Sequence, residues 1–508
     1  MLKYLFANLL RLRLIFHIFY IVSFLLLTFI PNIFFVEHIV AITIILGILS
    51  VLYNKNKFNI SLLLSIIIVF NIINVTIALY KGVHNFSQPF AGLQENTTMF
   101  SMYITLSFPA LIYFHYQYKY NRLLYLCLSV FIVAIFISCS RTGIICICIT
   151  LCYIIKIKTK NKYFITALLF ISLCSSFIAF NNKKGSTNGR AFILNRTYDM
   201  IKKKPLGWGN YGFSNNYMKF QANYFKHNYS ENTAYLADDI KHPLNEFLHI
   251  TVNWGIPITF AIILFLIYLL HLTYNIKNNR GQTLFTFIAL LCTWGCFSYP
   301  LTQPCVWLYT FIYTLAFFNE KIKNVISPHK LWFISLIIIA AFYTIIDLNY
   351  RYMWECAIKE CKNGNKNRTL TLMENAEKYY KDNSNFLYSY ATVLYNLMMY
   401  EETILILNKY KKNRTSYDAE LLLGNSYMSI NKYKEAEIAY INAFYMCPVR
   451  FIPLYNLFKI YKNNTDYNKM KIIGKYILSK KIKINSREIQ IIKHNTYVEL
   501  QKIQHYEL

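Results

Sequence analysis

The chain has 508 residues, 56% of them hydrophobic and 18% aromatic, with a mean hydropathy of +0.30. So apolar a composition excludes a single soluble domain, and the length exceeds one simple bundle, so a membrane region with an appended soluble domain is the expected division. The formal charge of +29 does not point to nucleic acid, because the basic residues are spread over short turns and the tail and no zinc-finger or recognition-helix pattern appears.

In chain order, apolar runs of bilayer-spanning length fall near 15–36, 38–53, 60–80, 99–116, 123–137, 143–157, 163–180, 247–272, 283–299, 305–318 and 331–346. They predict an all-α fold: a polytopic membrane helical bundle of about 11–12 transmembrane helices over residues 1–348, followed by a soluble helical domain over 349–508. Lys3, Arg11, Arg13, Lys55, Lys57, Lys119, Arg122, Lys156, Lys158, Lys160, Lys162, Lys277, Arg280, Lys321, Lys323 and Lys330 all fall on one side, whereas the opposite short loops carry only Lys81 and Arg141. By the positive-inside rule the amino terminus is then cytoplasmic, and the large 181–246 loop and the tail lie on the outer face. The basic start of the chain imitates a signal peptide, but it lacks a small-residue cleavage site and is followed by further spans, so a retained anchor is expected.

The 181–246 loop is the place for chemistry. Arg141, in Ser140-Arg141-Thr142-Gly143, stands at the outward end of a span, and Arg190 follows Gly189 in the loop. A guanidinium presents a fork of donors that suits bidentate contact with phosphate. Arg196, Lys202, Lys203 and Lys204 add positive field, so an anionic lipid-linked substrate at the membrane surface fits this composition. Pro205-Leu206-Gly207-Trp208-Gly209 is a turn-forming cluster. His242 follows Asp238 and Asp239 and precedes Asn245 and Glu246 at the membrane entry; an imidazole can take a proton from an attacking hydroxyl.

Most of the twelve cysteines lie in or beside apolar runs, as small packing residues. Cys146-x-Cys148 has no neighbouring His or acid, so neither a metal site nor any cofactor is expected. Cys356 and Cys361 fall in the tail, where a disulfide is left open.

After residue 349 the composition shifts to Lys, Asn, Tyr and Glu with helical periodicity. Leu423, Gly424, Tyr427, Tyr433, Ala436, Tyr440, Ala443 and Pro448 occupy the offsets of a tetratricopeptide repeat, whose period is about 34 residues. Ala391, Leu394, Tyr400, Leu407 and Tyr410 recur one repeat earlier, and Leu457, Phe458, Tyr461, Tyr467 and Ile477 one later. Such arrays commonly offer a face to a protein partner.

These pieces, in this order, resemble the O-antigen ligase superfamily, bacterial inner-membrane glycosyltransferases. The matching residues are Gln88-Pro89-Phe90-Ala91-Gly92-Leu93-Gln94-Glu95-Asn96, Ser140-Arg141, Gly189-Arg190, Lys204-Pro205-Leu206-Gly207-Trp208-Gly209, and Asn245-Glu246-Phe247-Leu248 with Trp254-Gly255-Ile256. The likeness covers roughly 86–318, and a tetratricopeptide tail is familiar in the superfamily. It implies a metal-independent, inverting transfer of a glycan from an undecaprenyl-diphosphate carrier to an acceptor hydroxyl on the periplasmic side. Arg141 and Arg190 would hold the diphosphate, with Asn245 as a further binding residue, and His242 would be the base. The family pattern places its histidine where Leu244 stands, two residues later than His242, so Glu246 or Asp239 is an alternative base. The acceptor would be lipid A core, a growing glycan or an exported protein, which separates ligase, polymerase and protein O-oligosaccharyltransferase. A non-catalytic scaffold or polysaccharide exporter is the competing class; spans nearly free of charge disfavour an exporter.

Overall fold

The computed structural model describes residues 20, 40–46, 60–84, 90–94, 96–118, 122–159, 184–276, 278–318 and 330–506. Almost all of the expected 15–36 and 163–180 spans, most of 38–53, Cys174 and the Gln88-Pro89 pair lie outside them. Among the described residues the regular structure is helical, with no strand. They divide into two compact units: Met1–Lys184, Leu244–Phe247 and Thr259–Leu348 in the first, and Gly185–Pro243, Leu248–Ile258 and Asn349–Leu508 in the second. Most of the polar 181–246 segment thus groups with the tail.

The first unit is an apolar bundle. Its helices are α1 (Ile60–His84), α2 (Thr97–Thr105), α3 (Phe108–Gln117), α4 (Arg122–Ile137) and α5 (Arg141–Thr159). The helices that follow the polar segment supply the rest. Among the described residues three stretches are long and apolar enough to cross a membrane: Ile60–His84, Thr97–Gln117 and Ile256–Asn275, with mean hydropathy 2.6, 1.3 and 2.3. Arg122–Ile137, Arg141–Tyr153 and Pro304–Phe317 are apolar but shorter. The expected 99–116 span is broken at Leu106-Ser107. Its loosened polar groups are paired: the buried Tyr313 hydroxyl donates to Leu106 O at 2.9 Å and Trp294 Nε1 to Thr105 Oγ1 at 2.8 Å. The turn at 90–94 is fixed on α1, where Asn74 Oδ1 accepts from Leu93 N at 3.0 Å and Lys81 Nζ donates to Gly92 O at 2.7 Å. Asn96 then caps α2 by accepting from Thr98 N. Part of the first block of the family resemblance thus has a structural role.

The polar 181–246 segment is mostly helical where it is described: α6 (Lys184–Lys203), α7 (Gly212–His227) and α8 (Glu231–Leu236). The apolar run expected at 247–272 is two helices, α9 (Glu246–Trp254) and α10 (Ile256–Asn275), parted at Gly255. Only 11% of the apolar window of α10 is buried, leaving Phe260, Leu264, Phe265 and Tyr268 exposed, as a lipid-facing helix requires. Helices α11 (Asn279–Phe297) and α12 (Pro304–Phe318) complete the bundle core around Trp294, Tyr309 and Tyr313.

One helix, α13 (Lys330–Lys362), leads into the tail, a series of hairpins: α14 (Lys366–Tyr380), α15 (Ser384–Asn396) with α16 (Tyr400–Asn413), α17 (Tyr417–Ser429) with α18 (Tyr433–Met446), α19 (Ile452–Asn463) with α20 (Tyr467–Ser479), and α21 (Arg487–Tyr506). The repeat is visible in the backbone. Gly364, Met398, Asn431 and Thr465 all have positive φ, about 34 residues apart as the repeat demands. Each is followed by an N–H that reaches back five residues: Asn365 to Glu360 O, Met399 to Leu394 O, Lys432 to Tyr427 O and Asp466 to Tyr461 O, at 2.9–3.0 Å. This is the left-handed helix ending that satisfies terminal carbonyls. Four such turns, against the two or three repeats expected from the residue pattern, make the end of α13 with α14 the first hairpin. Buried Ala357 and Ala391 and then Gly424 hold the small-residue position in successive units.

Cys356 and Cys361 are free thiols. They stand five residues apart on α13 and so point about 140° away from each other, which rules out the disulfide left open above.

A Cβ placed on Gly424 would lie 2.5 Å from Tyr440 Cε1, and that ring is fully buried with its hydroxyl held by Asn425 Oδ1 at 2.7 Å. Gly424→Ala should therefore cost about 1–3 kcal/mol, read as a lower unfolding midpoint and earlier proteolysis within residues 417–446 of the full-length protein.

Candidate functional site

The break in the apolar run builds the site. At Gly255 the helix stops: Ile256 N is turned away from Val252 O, and Pro257 has no N–H to offer Asn253 O, so both carbonyls are left without helical donors. The turn at 205–209 supplies replacements: Trp208 N donates to Val252 O at 2.8 Å, Gly209 N to Asn253 O at 2.9 Å, and Ile256 N returns a bond to Pro205 O at 3.0 Å. Trp208 Nε1 donates to Met200 O at 3.0 Å, tying the turn to the end of α6. Two glycines make this approach possible. A Cβ on Gly207 (φ +92) would sit 2.6 Å from Asn253 O, and one on Gly255 (φ +88) 2.6 Å from the Leu206 carbonyl carbon. The turn cluster, weak as a sequence signal, is the cap of α9.

Helix α9, so held, carries His249 and Asn253. The rings of His242 and His249 meet edge to face, with centroids 5.5 Å apart. His249 Nε2 lies 3.2 Å from Asn253 Nδ2, and Asn253 Oδ1 accepts from Phe213 N at 3.0 Å. That amide bond to a backbone donor orients the Asn253 side chain with its NH2 toward His249, which makes Nε2 the acceptor. Burial first, then His249, then Lys241, lower the His242 pKa to about 4. His242 is therefore a neutral imidazole at physiological pH. His249 was not singled out on sequence, because it lies inside an apolar run read as one span; the one available signal was its place seven residues after His242, about two helical turns.

The other candidate bases have different surroundings. Asp239 is half-buried, and its carboxyl is pushed up by burial and by Asp418, against the pull of Lys241, Arg450 and Arg414. Its charged neighbours belong largely to the repeats. Glu246 is buried at the first turn of α9, beside Gly295, where a carboxylate complements the helix dipole. Asn245 Nδ2 donates to Cys296 O at 2.8 Å near the end of α11. Leu244, at the family histidine's position, has φ 58, a left-handed conformation costing a branched side chain about 1–2 kcal/mol.

Arg141 opens α5 and is half-buried. Before it Cys139 has φ 51 and Ser140 Oγ accepts from Gly143 N at 3.3 Å; Ser138 Oγ pairs with Ser101 Oγ of α2 at 2.8 Å. A cation in a first helical turn opposes the macrodipole by roughly 0.3–1 kcal/mol, so helix stability does not explain Arg141. A guanidinium at a helix N-terminus forms a positive focus for an anion. Arg190 lies half-buried on α6. Arg196 is a correction: rather than adding loose positive field, it pairs with Asp199 at 3.1 Å and stacks over Tyr224 at 4.0 Å. Lys203 and Lys204 likewise lie over Phe220 and Trp208. Among the described residues no His, Cys, Asp and Glu group could hold a metal ion.

Residues 126–266 match the family model described as O-antigen ligase, and 365–443 match one described as anaphase-promoting complex, cyclosome, subunit 3. The first interval contains Arg141, Arg190, the 205–209 turn, His242 and Gly255; the second covers hairpins of the tail. No curated protein and no solved structure matches the chain.

Gly207→Ala and Gly255→Ala each force left-handed strain together with a backbone collision, whereas Gly209→Ala (φ +86) meets open space. The first two should lower the thermal midpoint of the detergent-solubilised protein well beyond the third, whose strain alone is about 1–2 kcal/mol. The histidine gives a pH signature. Its folded pKa of about 4 lies below the ordinary 6.5, so the unfolded state binds more protons between those values and stability falls as pH drops from 6.5 toward 4. Wild type should lose more of its unfolding midpoint than His242→Asn over that interval; equal losses would remove His242 from the account.

Proposed function

We propose, from a membrane protein that carries an O-antigen ligase domain ahead of a tetratricopeptide-like tail, that it moves a glycan from an undecaprenyl-diphosphate carrier to an acceptor hydroxyl. The reading places the chain in the bacterial inner membrane as a multi-pass protein, with residues 181–246 and the tail on the periplasmic side, as the distribution of Lys and Arg favours. The observation that carries it is the His242–His249 pair, mounted beside the break in the apolar run within the interval that matches the ligase family.

The chemistry follows from the residues. The acceptor O–H gives its proton to His242, the oxygen attacks the anomeric carbon from the face opposite the phosphate, and the carbon–oxygen bond to phosphate breaks. Its electron pair leaves with the diphosphate, which Arg141 and Arg190 hold. Positive groups aimed at charge that grows as the bond breaks accelerate the step without a metal. An imidazole of pKa about 4 is a weak base at neutral pH. The doubly phosphorylated donor corrects this, because anionic oxygens nearby favour the imidazolium and raise the pKa during turnover. His249 then acts as the second imidazole that keeps His242 neutral until the donor arrives.

Three acceptors suit this scheme: lipid A core, a growing glycan, or a serine or threonine of an exported protein. A helical repeat domain attached to the site segment favours a bulky acceptor, and thus a ligase or protein O-oligosaccharyltransferase over a polymerase.

In cells lacking the chromosomal copy, wild type, Arg141→Ala, Arg190→Ala and His242→Ala at matched membrane levels should differ in glycan released from its lipid carrier. Each arginine change should reduce transfer by roughly 10²–10³, and His242→Ala by about 10²–10⁴. Wild-type transfer in His242→Ala would move the base elsewhere, and no transfer by wild type would favour a non-catalytic scaffold.

A further inference from the structure

The repeats are already occupied by their own chain. Helix α7 packs along α18, and Thr415 N donates to Asn215 O at 2.9 Å. Phe192, Phe225, Ala234 and Ala237 of the polar segment form an apolar cluster against which Tyr445 of α18 packs. Gln221, fully buried on α7, donates through Nε2 both to Met446 O at the end of α18 and to Asp238 O at 3.1 Å. The backbone four residues before His242 is therefore pinned to α7 and, through the same amide, to the repeats.

A second tie grips the Asp238 side chain. Arg450, in the turn between α18 and α19, pairs with Asp238 at 3.1 Å and approaches Asp418 at 3.9 Å, while Lys483 reaches Asp238 at 3.9 Å. Its guanidinium lies over the Tyr417 ring at 4.4 Å and its carbonyl accepts from Lys480 Nζ at 2.9 Å, so it is held before it meets the loop. Side chains 37% and 42% exposed make a bridge that stabilises little. Such a bridge can still fix where a short segment lies, because both partners are oriented by other contacts.

We infer that the tail acts in cis, with Arg450 as the positioning residue that sets the 238–242 segment and thereby the place of the His242 ring. The inference rests on the reading of His242 as the group that meets the acceptor hydroxyl. It assigns this face of the repeats to the enzyme's own loop, so that tail and site work as one body.

The test uses the full-length protein in detergent for hydrogen exchange and the deletion strain for glycan transfer. Arg450→Glu should raise exchange at 236–250 about tenfold and lower transfer by at least about tenfold, the scale on which small misplacements act, while hairpins within 384–479 keep their protection. Arg450→Lys should retain most transfer, and Asp238→Arg combined with Arg450→Asp should restore both readouts. On a His242→Ala background, Arg450→Glu should cause no further loss of transfer, since the two act through one ring. Unchanged exchange and transfer in Arg450→Glu, with transfer still lost in His242→Ala, would overturn the inference and leave the function reading standing. Raised exchange in Arg450→Glu with full transfer in His242→Ala would instead sink the role of His242 alone.

Discussion

The structure turns on the carbonyls of Val252 and Asn253. In or beside a membrane each unpaired carbonyl costs several kcal/mol, which favours an unbroken helix through the apolar run, yet Pro257 has no N–H to offer Asn253 O. Here the run stops at Gly255, and the freed acceptors are met by Trp208 N and Gly209 N. The break is tolerable only because a backbone with no Cβ at 207 or 255 lets two turns touch at main-chain distance. Its consequence is a division of labour: α10 keeps an exposed apolar surface, while α9 carries His249 and Asn253 into the unit that contains the polar segment.

The same constraint explains the apparently overlarge polar insertion. A loop needed only as a link has no use for three helices, a buried glutamine and an ionic cluster. Gln221, with both N–H groups committed to carbonyls, cannot be removed without leaving buried acceptors unpaired, at about 1–3 kcal/mol. The Asp238–Arg450 bridge is half exposed and contributes roughly 0–1 kcal/mol. Buried amide and apolar contacts therefore hold the segment together, and the exposed charges are left to decide its orientation.

Much of this was legible in the residues. Apolar runs announced the membrane helices, and Leu423, Gly424, Tyr440 and Ala443 announced the repeat, because a hairpin that stacks on its neighbours constrains the same small and aromatic positions in each unit. The first unit was hidden because Ala357 sits on a helix continuous with an apolar stretch, which masks the change of period. The break at Gly255 was missed because hydropathy counts side chains: Gly255-Ile256-Pro257 marks a helix stop, while the donors that replace the lost ones come from residues some 45 positions away. His249 was lost with it, since a histidine inside an apolar run reads as packing until the run is known to be broken. The surroundings of Asp239, burial together with Asp418, Arg414 and Arg450 from the repeats, are long-range in sequence, and no local pattern shows them.

The two histidines together make a sharper statement than either alone. Adjacent imidazoles at 5.5 Å disfavour double protonation, and burial adds to that cost, so His242 rests neutral and keeps its lone pair. A neutral imidazole of low basicity is unreactive toward a hydroxyl of high pKa. On the proposed transfer, a diphosphate brought to this surface would favour the imidazolium that is otherwise disfavoured. Binding of the anionic donor and activation of the base would then be one electrostatic event. A base raised in advance to pKa 7 would already be partly protonated and would carry another positive charge into a surface that has many.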